Sequence, residues 1–324
     1  MRATLGLLPT RRVGVHAHVS GCVIVTPMSD TFGPDLCAGL RDLDVIDEVQ
    51  GARVPCWLVY PTRSPEQEAR FGPYALHVAR DAAIEGEALP LVVVSHGTGS
   101  TPWVLRDLAR TLARHGFVVA LVEHPGNSRS DDHLARTAVN LVSRPRHLRL
   151  VVDAAYGDPV VGARLAPGAV AVIGHSLGGY TALALAGGRP GAFPHETPDG
   201  RGGALEVTHE PRVRALVLLA PATPWFAQDE ALRGVRVPIL MRTGEHDPHT
   251  PPIHAEIVLR GVADRSQVDH EVVAGAGHFS FLSPFPAAMR SPTFPPSQDP
   301  PGFDREAYQP RLAAEIIAFL RRAL

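Results

Sequence analysis

The sequence predicts an α/β domain: a mostly parallel central sheet with helices on both faces. Three observations carry this. Short runs that are apolar throughout, at residues 91–94, 117–122, 170–173, 215–220 and 237–241, read as strands buried on both faces. Segments of helical spacing alternate with them, the pattern of repeated strand-helix-strand units. The chain has 324 residues, 45% of them hydrophobic, which is enough to bury one large core without a second fold.

Taken in order, residues 1–38 read as an N-terminal extension that is expected to be disordered. Arg11-Arg12 followed by Val19-Ser20-Gly21-Cys22 also permits an export signal with a lipid-attachment cysteine, but two histidines interrupt an apolar stretch already too short. An extension, or a start assigned upstream of a true start at Met28, accounts for the segment better, and the cytoplasm is the expected location. A single domain is expected over 39–324. Residues 39–46 and 54–60 read as two strands pairing antiparallel at an edge, and about 61–88 as a loop. After the strand at 91–95, residues 101–115 have helical spacing, with Thr101 as N-cap, Pro102 at the first position and Gly116 as terminator. A strand at 117–122 leads to a helix over 134–156 that Pro145 is expected to interrupt. Beyond the strand at 170–173 and a helix after it, 187–211 is rich in Gly and Pro and reads as a surface insertion. Strands follow at 215–220 and 237–242, then a helix at 252–261, a last strand at 270–273 and a closing amphipathic helix at 305–324. The proline-dense stretch 284–301 is a second insertion that cannot add to a sheet.

Composition excludes several chemistries. The formal charge of −2, without charge runs, gives no electrostatic case for nucleic acid or an anionic membrane surface. All 31 basic residues are arginine. A chain without lysine cannot form a Schiff base, hold pyridoxal phosphate, build a Walker A site or run a Ser-Lys dyad. The three cysteines, Cys22, Cys37 and Cys56, are odd in number and lack CxxC spacing, which argues against a disulfide framework, a zinc site or a cysteine nucleophile. No segment approaches the ~20 apolar residues of a membrane span. No G-x-G-x-x-G follows an early strand, so a dinucleotide site is disfavoured. No metal or organic cofactor is expected.

The chemistry-bearing segment is Val170-Ala171-Val172-Ile173-Gly174-His175-Ser176-Leu177-Gly178-Gly179, an apolar strand running into G-x-S-x-G and then a helix. A serine hydroxyl is a poor nucleophile and needs an exposed, strained position beside a base, which a sharp strand-to-helix turn supplies. The bland alternative is an ordinary glycine-rich turn. A nucleophilic Ser176 requires an acid and then a base, each just after a later strand. Asp247 in Thr243-Gly244-Glu245-His246-Asp247 and His278 in Gly275-Ala276-Gly277-His278 meet that order. Asp247 could instead cap the next helix, Glu245 is a substitute acid, and His246, Asp247, His249 and His254 leave a zinc reading open. His278 could be an ordinary loop histidine. In Ser95-His96-Gly97-Thr98-Gly99, glycines after an earlier strand let backbone N–H groups face a cavity, so the N–H groups of Thr98 and Leu177 form the expected oxyanion donors. His96 reads as a structural hydrogen-bonder, and His124 as a pocket-lining residue or a plain turn residue. Trp225 and Phe279 are further candidates for the lining, with Phe226, Phe281 and Phe285 making it apolar or simply packing the core.

With those segments placed, the chain from about Gly39 to Leu324 resembles the α/β-hydrolase superfamily. Within it, the chain is most similar to bacterial proteins described as predicted dienelactone hydrolases and to the platelet-activating-factor acetylhydrolase type. The residues carrying the likeness are Pro90-Leu91-Val92-Val93-Val94-Ser95-His96-Gly97-Thr98-Gly99, Gly116-Phe117-Val118-Val119-Ala120 with Glu123-His124-Pro125-Gly126-Asn127, and Ala276-Gly277-His278-Phe279-Ser280-Phe281. Two departures narrow what carries over. True dienelactone hydrolases use a cysteine nucleophile where this chain has Ser176. The acetylhydrolase type places its acid after the strand that follows the elbow, where this chain reads Leu219-Ala220-Pro221-Ala222-Thr223, without a carboxylate. The resemblance therefore implies a serine hydrolase acting on a small carboxylic ester, lactones included, through an acyl-enzyme. A peptidase or acyltransferase would share the same groups, and a non-enzymatic binding protein is the alternative from another class.

Overall fold

The computed structural model describes residues 36–324. The readings made of residues 1–35, Cys22 and the export alternative included, lie outside the described residues. Strand β1 (Cys37–Leu43) leads through a short hairpin, β2 (Ile46–Asp47) and β3 (Ala52–Arg53), into β4 (Cys56–Thr62). A second hairpin, β5 (Gln67–Phe71) and β6 (Tyr74–Arg80), precedes β7 (Leu89–Ser95), α1 (Arg106–Arg114), β8 (Val118–Val122) and α2 (Ala138–Gly157). Then come β9 (Leu165–His175), α3 (Leu177–Leu185), a small hairpin of β10 (Gly191–Ala192) and β11 (Gly203–Ala204), and β12 (Val213–Leu219). The chain closes with β13 (Ile239–Gly244), α4 (Ile253–Gly261), β14 (Val268–Val273) and α5 (Arg305–Ala323).

Ten of these strands form one sheet in the order β14-β13-β12-β9-β7-β8-β4-β1-β6-β5. Every pair from β14 to β8 is parallel. The apolar runs are continuous because both faces are covered, and alternate residues serve opposite cores. Leu91, Val93, Val170 and Val172 pack with Leu148 and Val152 of α2, Leu183 of α3 and Val258 of α4. Val92, Val94, Ala171 and Ile173 pack on the other side with Leu108 and Leu112 of α1 and Leu312 and Ile316 of α5. Register then sets the carboxyl ends of the parallel strands abreast: Ser95 opposes Gly174, His175 opposes Leu219, Leu219 opposes Arg242, and Gly244 opposes Val273. Ligands on such sheets bind outside those ends.

Four expectations need correction. Residues 61–88 hold the β5–β6 hairpin rather than a loop. The β1 and β4 strands do pair antiparallel, but inside the sheet, since β4 bonds to β8 and β1 to β6 and the edge is β5. Thr101 makes no side-chain cap, because Pro102–Leu105 is a 3₁₀ turn from which α1 starts at Arg106. Pro145 does not interrupt α2. A proline withholds the N–H that the carbonyl four residues earlier would use, and here the Tyr180 hydroxyl donates to that carbonyl, Leu141 O, at 3.1 Å. Among the described residues no helix is long and apolar enough to cross a membrane.

Candidate active site

Ser176 stands at the end of β9 with φ 54° and ψ −120°, backbone angles that cost a non-glycine residue about 1–3 kcal/mol. Its surroundings over-determine them. The Ser176 N–H donates to Leu219 O at 3.0 Å, and its carbonyl accepts from Gly179 N at 2.8 Å and Ala222 N at 2.9 Å. The flanking glycines are required by crowding: a Cβ on Gly178 would fall 1.9 Å from Ser95 O, and one on Gly174 would fall 2.1 Å from Gly178 O. The turn is thus wedged between the ends of β7 and β12. As the first residue of α3, Leu177 has an N–H without an intrahelical acceptor, pointing past the helix N-terminus.

Asp247 follows β13 and His278 follows β14, and the two loops are laced by Glu245 N to Val273 O at 3.1 Å and His246 N to Ala276 O at 2.8 Å. The Asp247 Oδ2 lies 2.8 Å from His278 Nδ1. Its Oδ1 accepts from the N–H groups of His249 and Thr250, each at 2.8 Å, and the Thr250 hydroxyl donates to Oδ2 at 2.5 Å. Burial works against the charge on this carboxylate, but the hydrogen bond and charge of His278 and the Thr250 bonds outweigh it and hold the pKa well below the usual range. Of the other readings, capping fails because α4 begins at Ile253 with Pro252 before it. Glu245 is exposed, with its Oε2 accepting from Gly275 N at 2.8 Å. His254 Nδ1 takes the Thr223 N–H at 3.0 Å, and among the described residues no group of three or more His, Cys, Asp or Glu is placed to hold a metal.

The loop carrying Thr98 abuts the serine, since a Cβ on Gly97 would sit 3.2 Å from Ser176 Cβ. A buried polar network, which the sequence did not disclose, braces this loop from behind. Arg144 of α2, fully buried, donates to His96 O, to Ser95 Oγ at 3.2 Å, to Asn127 Oδ1 at 2.7 Å and to Thr181 Oγ1 at 3.0 Å. Burial pulls its pKa down to about 9, so it remains charged at neutral pH. Asn127 Nδ2 in turn donates to Thr98 Oγ1 at 2.9 Å. His96 is the structural hydrogen-bonder expected of it, donating from Nδ1 to Gly97 O at 2.7 Å and accepting at Nε2 from His124 N at 3.3 Å. Its pKa is pushed down to about 3, first by burial and then by Arg144, so it stays neutral. The remaining bonds have one self-consistent direction: Ser95 O–H to His124 Nε2 at 2.9 Å, His124 Nδ1–H to His147 Nδ1 at 3.2 Å, and His147 Nε2–H to Gln50 Oε1 at 2.8 Å.

Ser176, His278 and Thr98 line one pocket of about 390 Å³, walled by Tyr74, Phe279, Phe285 and Phe294. Phe279 and Phe285, two of the candidates for the lining, lie in that wall. His124 and Trp225 do not: His124 is fully buried in the network described above, and Trp225 turns its indole N–H to Glu196 at 3.0 Å and its ring to Tyr180. Phe226 and Phe281 are core residues. The proline-dense stretch contributes Phe285, Phe294 and Pro296 to the wall, whereas the insertion at 187–211 contributes none of its residues.

A family model described as alpha/beta hydrolase fold matches residues 90–196, the stretch holding both the Thr98 loop and the Ser176 turn. Three solved structures superpose over most of the chain. A ferulic acid esterase from Streptomyces cinnamoneus does so with TM-score 0.62 and 18% identity, covering 92% of each chain. The chain has the α/β-hydrolase fold. A dienelactone hydrolase-like promiscuous phosphotriesterase from metagenomic libraries shares that fold with TM-score 0.57 and 17% identity, over 89% of this chain and 99% of the other. A predicted CIB-like hydrolase from Thermoplasma acidophilum follows with TM-score 0.51 and 16% identity, over 88% and 99%. Among curated proteins, cutinase Est2 of Thermobifida alba is 24% identical over 230 residues. That match takes in 66% of this chain and 65% of the cutinase.

Proposed function

We propose that this chain is a serine-dependent carboxylic ester hydrolase, lactones included, working through an acyl-enzyme. The observation that carries the reading is the 2.8 Å contact between His278 Nδ1 and Asp247 Oδ2, made in the wall of the pocket that Ser176 also lines. Asp247 fixes the imidazole with its proton on Nδ1, which leaves Nε2 free to act as base. Ser176 Oγ attacks the ester carbonyl carbon while its proton passes to His278 Nε2. The carbonyl oxygen becomes an oxyanion met by the N–H groups of Thr98 and Leu177. Collapse breaks the bond to the alcohol oxygen, which takes the proton from His278 and departs, or stays tethered if the substrate is a lactone. Water then repeats the sequence on the acyl-serine and releases the acid. The side chains of Ser176, His278 and Asp247 and the two backbone donors serve every step. The likeness to a cutinase and to a ferulic acid esterase agrees with an ester substrate. The test is a fluorophosphonate probe followed by peptide mass spectrometry, alongside hydrolysis of p-nitrophenyl butyrate. Label on the Ser176 peptide with loss of hydrolysis is expected; absence of label on Ser176 overturns the reading in favour of a binding protein.

A further inference from the structure

The pocket beside Ser176 carries one side chain of the Asp, Glu, Lys and Arg types. Aromatic rings, Val104, Leu282 and Pro296 supply its apolar surface and Ser, Thr and His side chains its polar surface, and the lining holds no Asp or Glu and one arginine, Arg129. That arginine is held in place at both ends. Its N–H donates to Ser100 O at 2.7 Å, next to the Ser100–Ser128 bridge that continues from the Thr98 loop. Its guanidinium lies over Phe294, 5.3 Å from the ring centroid, which orients the charge without neutralising it.

No carboxylate among the described residues pairs with Arg129, although three lie close in sequence. Each is engaged elsewhere: Asp132 accepts from Asn127 Nδ2 at 2.6 Å, Asp131 from Gly126 N at 3.1 Å and from His133, and Glu123 from Ser130 Oγ at 3.2 Å. Arg129 is exposed at the border of a cavity without Asp or Glu, and an arginine so placed, with its fork unoccupied, suits bidentate binding of a carboxylate. The rings beside it favour an apolar or aromatic body between the charge and the reacting carbonyl.

The geometry points to an ester bearing a carboxylate as the substrate class, with Arg129 as the residue that selects it. This rests on the esterase reading of the site and adds the charge of the substrate to it. The carboxylate could sit on the acyl part or on the alcohol part, so two matched pairs of esters are needed. Mono-4-nitrophenyl glutarate against 4-nitrophenyl valerate varies the acyl side. 4-Acetoxybenzoate against 4-acetoxybenzamide varies the alcohol side.

For at least one pair, the ratio of kcat/KM for the anionic to the neutral ester should fall roughly 10- to 100-fold in Arg129→Gln, the value of a charge-assisted hydrogen bond. It should recover in part in Arg129→Lys and invert in Arg129→Glu. Ratios equal to the wild type within twofold for both pairs overturn the proposal. Binding separates this outcome from failure of the esterase reading. In Ser176→Ala, titration calorimetry with glutarate and 4-acetoxybenzoate should show at least tenfold weaker binding of one anion once Arg129→Gln is added. Unchanged binding of both anions overturns the subsite even if esters are cleaved. Arg129-dependent binding by a chain that hydrolyses neither pair supports the subsite and overturns the esterase reading.

Discussion

Asp247 Oδ2 lies 2.8 Å from His278 Nδ1 across 31 residues of sequence, and the carboxylate accepts three more hydrogen bonds from its own turn. An acid restrained so completely can face only one imidazole nitrogen. The four donors come from residues 249, 250 and 278, so the turn after β13 is organised around the carboxylate rather than around a helix cap or a metal.

Asp247→Asn should leave the fold in place but let the side-chain amide donate to Nδ1, reversing the imidazole tautomer. A loss in kcat of roughly 10³- to 10⁴-fold is expected on ester substrates. Glu245→Gln is the control: its carboxylate is exposed and bonds Gly275 N, so steady-state kinetics should stay within about twofold of wild type. Equal losses in both variants would contradict the assignment of the acid.

Gly178→Ala puts a Cβ 1.9 Å from Ser95 O, a contact with backbone that no rotamer can relieve. The chain must either open the turn at Ser176 or shift β7. A destabilisation of about 3 kcal/mol or more by urea titration is expected, with activity lost in whatever remains folded.

Arg144→Met removes the charged donor shared by His96 O, Ser95 Oγ, Asn127 Oδ1 and Thr181 Oγ1. Four buried acceptors lose a partner, while the desolvation cost of a buried cation is relieved. The balance is expected at about 2–4 kcal/mol of lost stability. Because the Thr98 loop loses its brace, kcat should also fall at unchanged KM, measured at a temperature where the variant is fully folded.

Acid should destabilise the protein well before its carboxylates protonate. Burial pushes His96, His147 and His175 down to about 3, and His124 well below its usual value. These groups are neutral when folded but take up protons when unfolded once the pH drops below about 6.5. The unfolded state therefore binds more protons between about 6.5 and 3, and stability falls with decreasing pH at up to ~1.4 kcal/mol per unit for each histidine. The lowered pKa of Asp247 adds a further loss below its unfolded value, near 4. Melting temperatures from pH 8 to 4 should thus drop from about pH 6.5 downward; a flat profile to pH 5 would contradict the neutral-histidine network.

The inner parallel strands were legible because they are apolar on both faces, and the positions of Ser176 after β9, Asp247 after β13 and His278 after the more polar edge strand β14 were legible from their order along the chain. The β5–β6 hairpin was not, because Gln67–Phe71 is an exposed edge without a buried stripe. The alternation Tyr74, Leu76, Val78 after Gly72-Pro73 was the available signal, and all three are buried. Arg144 left no local trace, since its four acceptors come from segments 17 to 49 residues away. For the same reason the sequence leaves His124 as either a pocket-lining or a plain turn residue, whereas it packs against His96 and His147.

The central claim is that Ser176 is the nucleophile, and hydrolysis of p-nitrophenyl butyrate by Ser176→Ala tests it most directly. A variant with an unchanged melting profile and a kcat lower by roughly 10⁴-fold or more is the predicted result. Full wild-type turnover by that folded variant would contradict the account.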